Sequence, residues 1–188
     1  MHLPAHVILN ALVLGRGRWR SAWVAVTGGA IFPDVPMLVF YGYQRVFLGR
    51  SEYMIWSNDY FQLQWQYVFD LFHSIPLISA AAFVAWRARA SLWLVFFLSM
   101  LLHVLGDLLL HNDDAHAHFL PVSDWRFMSP VSYWDPQYYG RYIAAAEVAL
   151  VFVGALVLTR RSMQWRVVGL SALAIYAALL VFIRVVWM

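Results

Sequence analysis

The residues in this chain best suited to chemistry are histidines and aspartates set at helical intervals inside apolar sequence. His103, Asp107 and His111 follow i, i+4, i+8 and share one helical face. Asp70 and His73 stand three apart, and His2, His6 and Asn10 repeat the four-residue step. Asp34 sits between two prolines in Pro33-Asp34-Val35-Pro36. Imidazole and carboxylate groups are the ligands that zinc, manganese or iron take. Two ligands one turn apart on a rigid helix make half a metal site, and a second helix completes it. A cation would also relieve the cost of burying carboxylates in an apolar interior. The run His111-Asn112-Asp113-Asp114-Ala115-His116-Ala117-His118 follows the His103/Asp107 helix directly. It supplies candidate general acids and bases, Asp114 and His116 foremost; the alternatives are further ligands, a lid or a solvated loop.

The elements that carry these groups are membrane spans. Of 188 residues 63% are hydrophobic and only 12% charged, against about 25% charged in a soluble domain. Cysteine is absent, which excludes a disulfide framework, a thiolate nucleophile and a Cys-type zinc site. All 13 basic residues are arginines, most of them gathered in short turns between apolar runs, a distribution unlike nucleic-acid binding. The N-terminus lacks the basic region of a cleavable signal and carries His6 and Asn10 in its apolar stretch.

Four runs are long enough to cross a bilayer, which takes about 20 residues: Gln64 to Trp86, Leu92 to Leu110, Tyr142 to Leu158 and Val167 to Trp187. His2 to Leu14 is shorter, and Ser21 to Tyr43 is expected to break near Pro33. Broken backbone at membrane depth survives only where it is buried in protein or lines a cavity, so the break should mark a site. The expected fold is an all-α polytopic transmembrane helical bundle of about six helical segments, the first one or two partial or broken. It forms one domain over 1–188, with site-bearing helices and outer loops in 1–139 and two supporting helices in 140–188.

Arg16, Arg18 and Arg20, then Arg87 and Arg89, then Arg160, Arg161 and Arg166 occupy alternate turns and therefore one face. The positive-inside rule makes that face cytoplasmic, giving a multi-pass inner-membrane protein with its N-terminus on the periplasmic side. Asp34 lies 14 residues after Arg20, His73 14 before Arg87 and His103 14 after Arg89. Each is thus roughly 20 Å from the arginine face at 1.5 Å per residue. Groups far apart in sequence meet at one level. The expected metal ligands are Asp34, His73, His103 and Asp107, with His6 a further candidate. Asp70 could instead cap a helix or pair with an arginine. Glu147 reads as an interfacial or pairing residue, and the Trp/Tyr-rich stretches 53–67 and 125–139 as interfacial belt and loop packing.

The ordered set His6, Pro33-Asp34, His73-Ser74 and His103-x-x-x-Asp107 resembles the predicted membrane-bound metal-dependent hydrolases, a family of bacterial and archaeal membrane domains. Pro121 to Phe127 resembles the Trp-Pro-Phe loop that follows in that family, so the likeness covers roughly residues 1–130. It implies a metal-dependent hydrolase with its site toward the periplasm. A divalent metal, zinc as first choice, would generate a nucleophile from water, with Asp114 or His116 moving the proton. Membrane lipids surround such a site, and a phosphoester or other ester of a lipid or envelope molecule would suit its depth; no nucleic-acid partner is expected. The chain departs from the pattern at Pro36, where the family often has a second Asp, and at Asp70-Leu71-Phe72-His73-Ser74, which lacks a His and an Arg. Both departures weigh against a second metal and a phosphate-clamping Arg at those places. The alternative readings are a binding or transport component moving protons or metal, and a structural protein with a packed polar network.

Overall fold

A computed structural model describes residues 1–187. Among them there are helices, turns and coil, and five helical stretches long and apolar enough to cross a membrane: Trp23–Phe47, Leu63–Arg87, Ser91–Leu110, Gly140–Thr159 and Met163–Val186. The protein is a multi-pass helical membrane bundle, as expected. Its eight principal helices are α1 (Leu3–Leu14), α2 (Trp23–Ile31), α3 (Val35–Gly42), α4 (Leu63–Phe72), α5 (Ile75–Arg87), α6 (Ser91–Leu110), α7 (Gly140–Thr159) and α8 (Met163–Trp187).

The short first helix is the hub. At 12 residues it is roughly 18 Å long, too short to span, yet it packs against α2, α6, α7 and α8. Ala5, Ile8 and Ala11 are fully buried in its contacts. Pro4 fits its first turn, where a backbone N–H would have no partner. Gly15 ends it beneath Trp165: a Cβ at that position would stand 2.6 Å from the indole ring. Arg161 donates to the carbonyls of Ala11 (2.8 Å) and Gly15 (3.1 Å), and Trp165 Nε1 to that of Arg20 (2.7 Å). Two of the arginine-rich turns therefore meet at one end of the bundle. Lipid-facing positions such as Val24, Phe83, Val153 and Ile175 are exposed and apolar, as hydrocarbon requires.

Two spans are interrupted, one near Pro33 as the sequence suggested and one where it did not. At Phe32–Asp34 a 3₁₀ turn joins α2 to α3 without stopping the helix. Pro33 and Pro36 each remove one donor, and tightening the turn absorbs the defect. The sharper interruption lies in the Leu63–Arg87 span, which the hydropathy profile reads as continuous from Gln64 to Trp86. There α4 ends at Phe72 and α5 begins anew at Ile75. Ser74 caps the new helix, its hydroxyl accepting from Leu77 N at 3.2 Å, and Pro76 sits in the first turn. The backbone groups exposed by this gap are met from outside the span: Ile75 N donates to His118 O at 2.8 Å, and Ser74 Oγ donates to Leu120 O.

Those acceptors belong to the 111–139 segment, which folds back over the end of α6. Ser129 N donates to His111 O (2.9 Å), Tyr133 N to Leu110 O (3.0 Å) and Ser129 Oγ to Leu109 O (2.7 Å). The segment thus satisfies the last carbonyls of α6, which have no helical partner. On the same side, Phe40, Ile55, Tyr60 and Phe69 form an aromatic cluster with Trp56 and Trp65. Tyr53, Tyr67, Trp125 and Tyr139 remain exposed, in keeping with an interfacial belt.

Candidate metal centre

The centre is assembled by a close helix crossing. Gly29 of α2 lies so near α6 that a Cβ would collide with the Phe96 carbonyl and stand 2.7 Å from Ser99 Cβ. With the backbones this close, side chains on α6 reach main-chain oxygens on α2. Ser99 Oγ donates to Val26 O at 2.6 Å, and His103 Nδ1 lies 2.7 Å from Ala30 O. Asn10 of α1 joins them, donating to Ser99 O (2.7 Å) and Oγ (2.8 Å). His73 occupies the gap between α4 and α5, with Nδ1 2.8 Å from Phe69 O. A carbonyl only accepts, so both imidazoles carry their proton on Nδ1. In the neutral rings Nε2 of His73 and His103 is then a free lone pair aimed into the protein interior, where neither atom has a hydrogen-bond partner.

What they face is carboxylate. Asp107 Oδ2 lies 2.8 Å from His103 Nε2 and 3.5 Å from His73 Nε2. Asp34 Oδ1 lies 3.6 Å from each of the two nitrogens. Contacts this close are favourable only with positive charge between nitrogen and carboxylate, whether a metal ion or the Nε2 proton of an imidazolium. The four side chains offer one ligand atom apiece, all within 4.8 Å of one another. Tetrahedral zinc with ligands at about 2.0–2.1 Å sets neighbouring donors about 3.3 Å apart, inside the 2.8–3.6 Å found here. The donor set, its burial and the backbone carbonyls that orient both imidazoles fit a divalent metal. Asp34, His73, His103 and Asp107 thus converge from three spans distant in sequence.

His6 is brought close but stands outside that group. Its ring stacks on His103 at 3.6 Å, and Nε2 lies 2.9 Å from Asp107 Oδ1 and 3.1 Å from Met1 O. Its Nδ1 is buried without a partner, so it lacks the oriented proton that the two ligand imidazoles have. Its position suits bracing Asp107 better than ligation. His111 approaches the same carboxylate oxygen, with Nε2 3.2 Å from Asp107 Oδ1. The amino group of Met1 lies 3.0 Å from that oxygen.

The 111–118 run is largely buried and not a solvated loop: His111, His116 and His118 are enclosed, and Asp113 is the exposed member. His116 stacks on His73 at 4.1 Å. Burial pushes His116 down to about 3 and His118 down to about 4, so both rings are neutral at physiological pH. Asp114 Oδ2 lies 2.9 Å from His111 Nδ1. Burial by itself would raise the Asp114 carboxyl, and the His111 hydrogen bond and charge outweigh it and hold it below the ordinary range. His116 is therefore next to the four-residue group, and Asp114 is one imidazole removed from it.

Asp70 pairs with an arginine rather than joining the centre. Arg126 grips it through Nη2–Oδ2 (2.5 Å) and Nη1–Oδ1 (3.2 Å), and Ala117 N donates to it at 2.9 Å. This pins the loop to α4. Glu147 pairs with His2 at 2.9 Å, also as expected. Sequence reasoning passed over Arg126 as a loop anchor and Asn10 and Ser99 as the polar link between α1, α2 and α6. A signal existed for the helix gap, since Ser74-Ile75-Pro76 has the cap-then-proline form of a helix start. No protein-family model, curated protein or solved structure matches the chain.

Proposed function

We propose that the chain is a membrane-embedded metal-dependent hydrolase, with zinc held by Asp34, His73, His103 and Asp107. The observation that carries this reading is the pair of proton-fixed imidazoles aimed, without hydrogen-bond partners, at two carboxylates. When bound, a divalent metal would supply Lewis acidity and lower the pKa of water at the site. His116, neutral and stacked on His73, is positioned to take a proton from the attacking water. The Asp114–His111 pair can hold that proton or return it to the departing alcohol. Asp34 is the least buried of the four, with 16% of its side chain exposed, and marks the side of approach. Hydrolysis at such a centre joins water oxygen to the phosphorus or acyl carbon of an ester and releases the alcohol. The substrate class we infer is a phosphoester or other ester of a lipid or envelope molecule. The arginine turns favour an inner-membrane orientation with the centre and the N-terminus toward the periplasm. The resemblance to predicted membrane-bound metal-dependent hydrolases supports the same reading.

A second reading is a non-catalytic one, metal binding or a polar packing network, and the enclosure of His73, His103 and Asp107 favours it. Purification of the full chain in detergent separates the two. Stoichiometric zinc, lost in His103→Ala and Asp107→Ala, together with zinc-dependent release of p-nitrophenol from phosphodiester or carboxylester probes, supports the hydrolase. Zinc without turnover of either probe class supports the second reading, and no metal under any loading condition removes the metal centre altogether.

A further inference from the structure

We propose that the groove lined by Val39, Tyr43, Gln44, Arg50, Asp59 and Trp65 is a binding seat for a neutral polyhydroxyl group, a sugar by chemical class. The groove lies beside the aromatic cluster of Phe40, Tyr60 and Phe69 and encloses about 540 Å³, a volume suited to a small ligand. Two π-helical turns build it. Tyr43–Phe47 supplies Tyr43 and Gln44, and Ile55–Asp59 supplies Asp59. Both π-helical segments among the described residues therefore border one groove. Such turns are rare and gather at functional sites, where the wider turn aims a side chain that regular helix would point elsewhere.

The floor of the groove is polar and incomplete. Gln44 and Asp59 are buried, and Gln44 Oε1 and Asp59 Oδ2 have no hydrogen-bond partner. The other Asp59 oxygen is occupied: Asn58 Nδ2 donates to Oδ1 at 3.1 Å and Gln62 Nε2 at 3.3 Å. Arg50 Nε stands 3.5 Å from Oδ2 without making a hydrogen bond to it. Native interiors leave few buried acceptors unsatisfied, and two in one groove mark the place where a donor arrives. The main chain holds Arg50 at the edge: its N donates to Gln44 O at 3.0 Å, and its carbonyl accepts from Arg45 Nη1 at 3.1 Å. Its half-exposed side chain is then the movable part of the seat.

Charge and shape select the donor. Arg50 and Asp59 together are neutral, so the groove favours neither an anion nor an ammonium group. A hydroxyl suits both partners, since it donates to Asp59 Oδ2 or Gln44 Oε1 and accepts from the guanidinium. The rings of Tyr43 and Trp65, with centroids 6.5 Å apart and planes tilted by 43°, add flat apolar faces against which the C–H face of a sugar ring packs. The seat goes beyond the hydrolase reading. Trp65 stands eight residues before His73 on α4, so groove and metal centre are roughly 12 Å apart along that helix, and occupancy requires neither metal nor turnover.

The test uses the full chain in a detergent without a sugar headgroup. Maltose is the free probe, titrated by saturation-transfer NMR. A glucosyl diacylglycerol in phosphatidylcholine nanodiscs is the lipid probe, titrated by mass spectrometry of the retained lipid. Saturable binding of either probe, weakened about tenfold in Arg50→Ala and in Asp59→Asn, supports the seat. Retention of the glycolipid alone assigns the sugar to a lipid headgroup, and binding of maltose alone assigns it to a free sugar. Binding unchanged in both variants, or no saturable binding of either probe, overturns the proposal. Arg50 is exposed, so Arg50→Ala decides should Asp59→Asn fail to fold. Zinc content should be the same in both variants as in the wild type, which separates failure of this seat from failure of the metal centre.

Discussion

The two ends of the bundle solve the same packing problem with different materials. At the arginine end, α1, α7 and α8 meet through Ile8, Ala11, Ala155, Leu158 and Trp165, with polar contacts limited to capping of main-chain carbonyls. At the other end, α2 to α6 meet through Asp34, His73, His103 and Asp107, and the Leu63–Arg87 span is cut where His73 needs to stand. Regular helix suffices where the contacts are apolar. Irregular backbone appears where polar groups must be aimed, and a loop crosses over to satisfy what the irregularity exposes. The two ends are therefore expected to respond differently to substitution.

The largest contrast is expected between the two centres of polarity. Asp107→Ala or His103→Ala should abolish stoichiometric zinc, measured by elemental analysis. The pairing residue Glu147→Gln should lower the melting temperature with zinc content unchanged. Zinc loss in Glu147→Gln would mean that the His2–Glu147 pair and the metal centre, which share this end of the bundle, are not separable. Next come the two close-approach glycines. Gly29→Ala forces a methyl into the Phe96 carbonyl, and Gly154→Ala forces one into Ile8. Each should cost about 1–3 kcal/mol by overpacking. Only Gly29→Ala should weaken zinc binding in a competition titration, because His103 is oriented through the α2–α6 crossing.

A smaller effect is expected at the loop anchor. Arg126→Ala leaves Asp70 without its arginine, and amide exchange over residues 112–120 should rise while α7 and α8 stay protected. Uniform change across the chain would contradict a locally pinned loop. The smallest is a pH effect on metal-free protein. His116 and His118 have folded values near 3 and 4, below the 6.5 of an unfolded chain. The unfolded state therefore takes up protons first as the pH falls, and stability declines from about pH 6.5 toward 4. His116→Gln/His118→Gln should flatten that decline in thermal melts between pH 7 and 5. An equally steep decline in the variant would place the titrating groups elsewhere.

Much of this was legible in the sequence because bilayer thickness converts residue counts into depth. The 14-residue offsets of Asp34, His73 and His103 from flanking arginines placed three spans' ligands on one level, and Asp107 followed by one helical turn. Helix ends were legible to within a few residues for α6, α7 and α8. The gap at His73–Ser74 was not, since hydropathy averages over a window longer than the defect. The burial of His116 and His118 was equally hidden. A loop rich in His and Asp looks solvated until its backbone is needed to satisfy a broken helix. His6 shares the right depth, but depth alone does not say which nitrogen carries a proton.

The hydrogen bond from Ile75 to His118 joins the start of α5 to the loop above the centre. Lifting that loop to admit a substrate would strip the Leu63–Arg87 span of an external partner for its broken backbone. Opening and unwinding would then be one motion, with the loop as its latch. The protein would then trade helix continuity for access each time the centre is reached, so entry would be governed by a main-chain bond and not by the size of a pore.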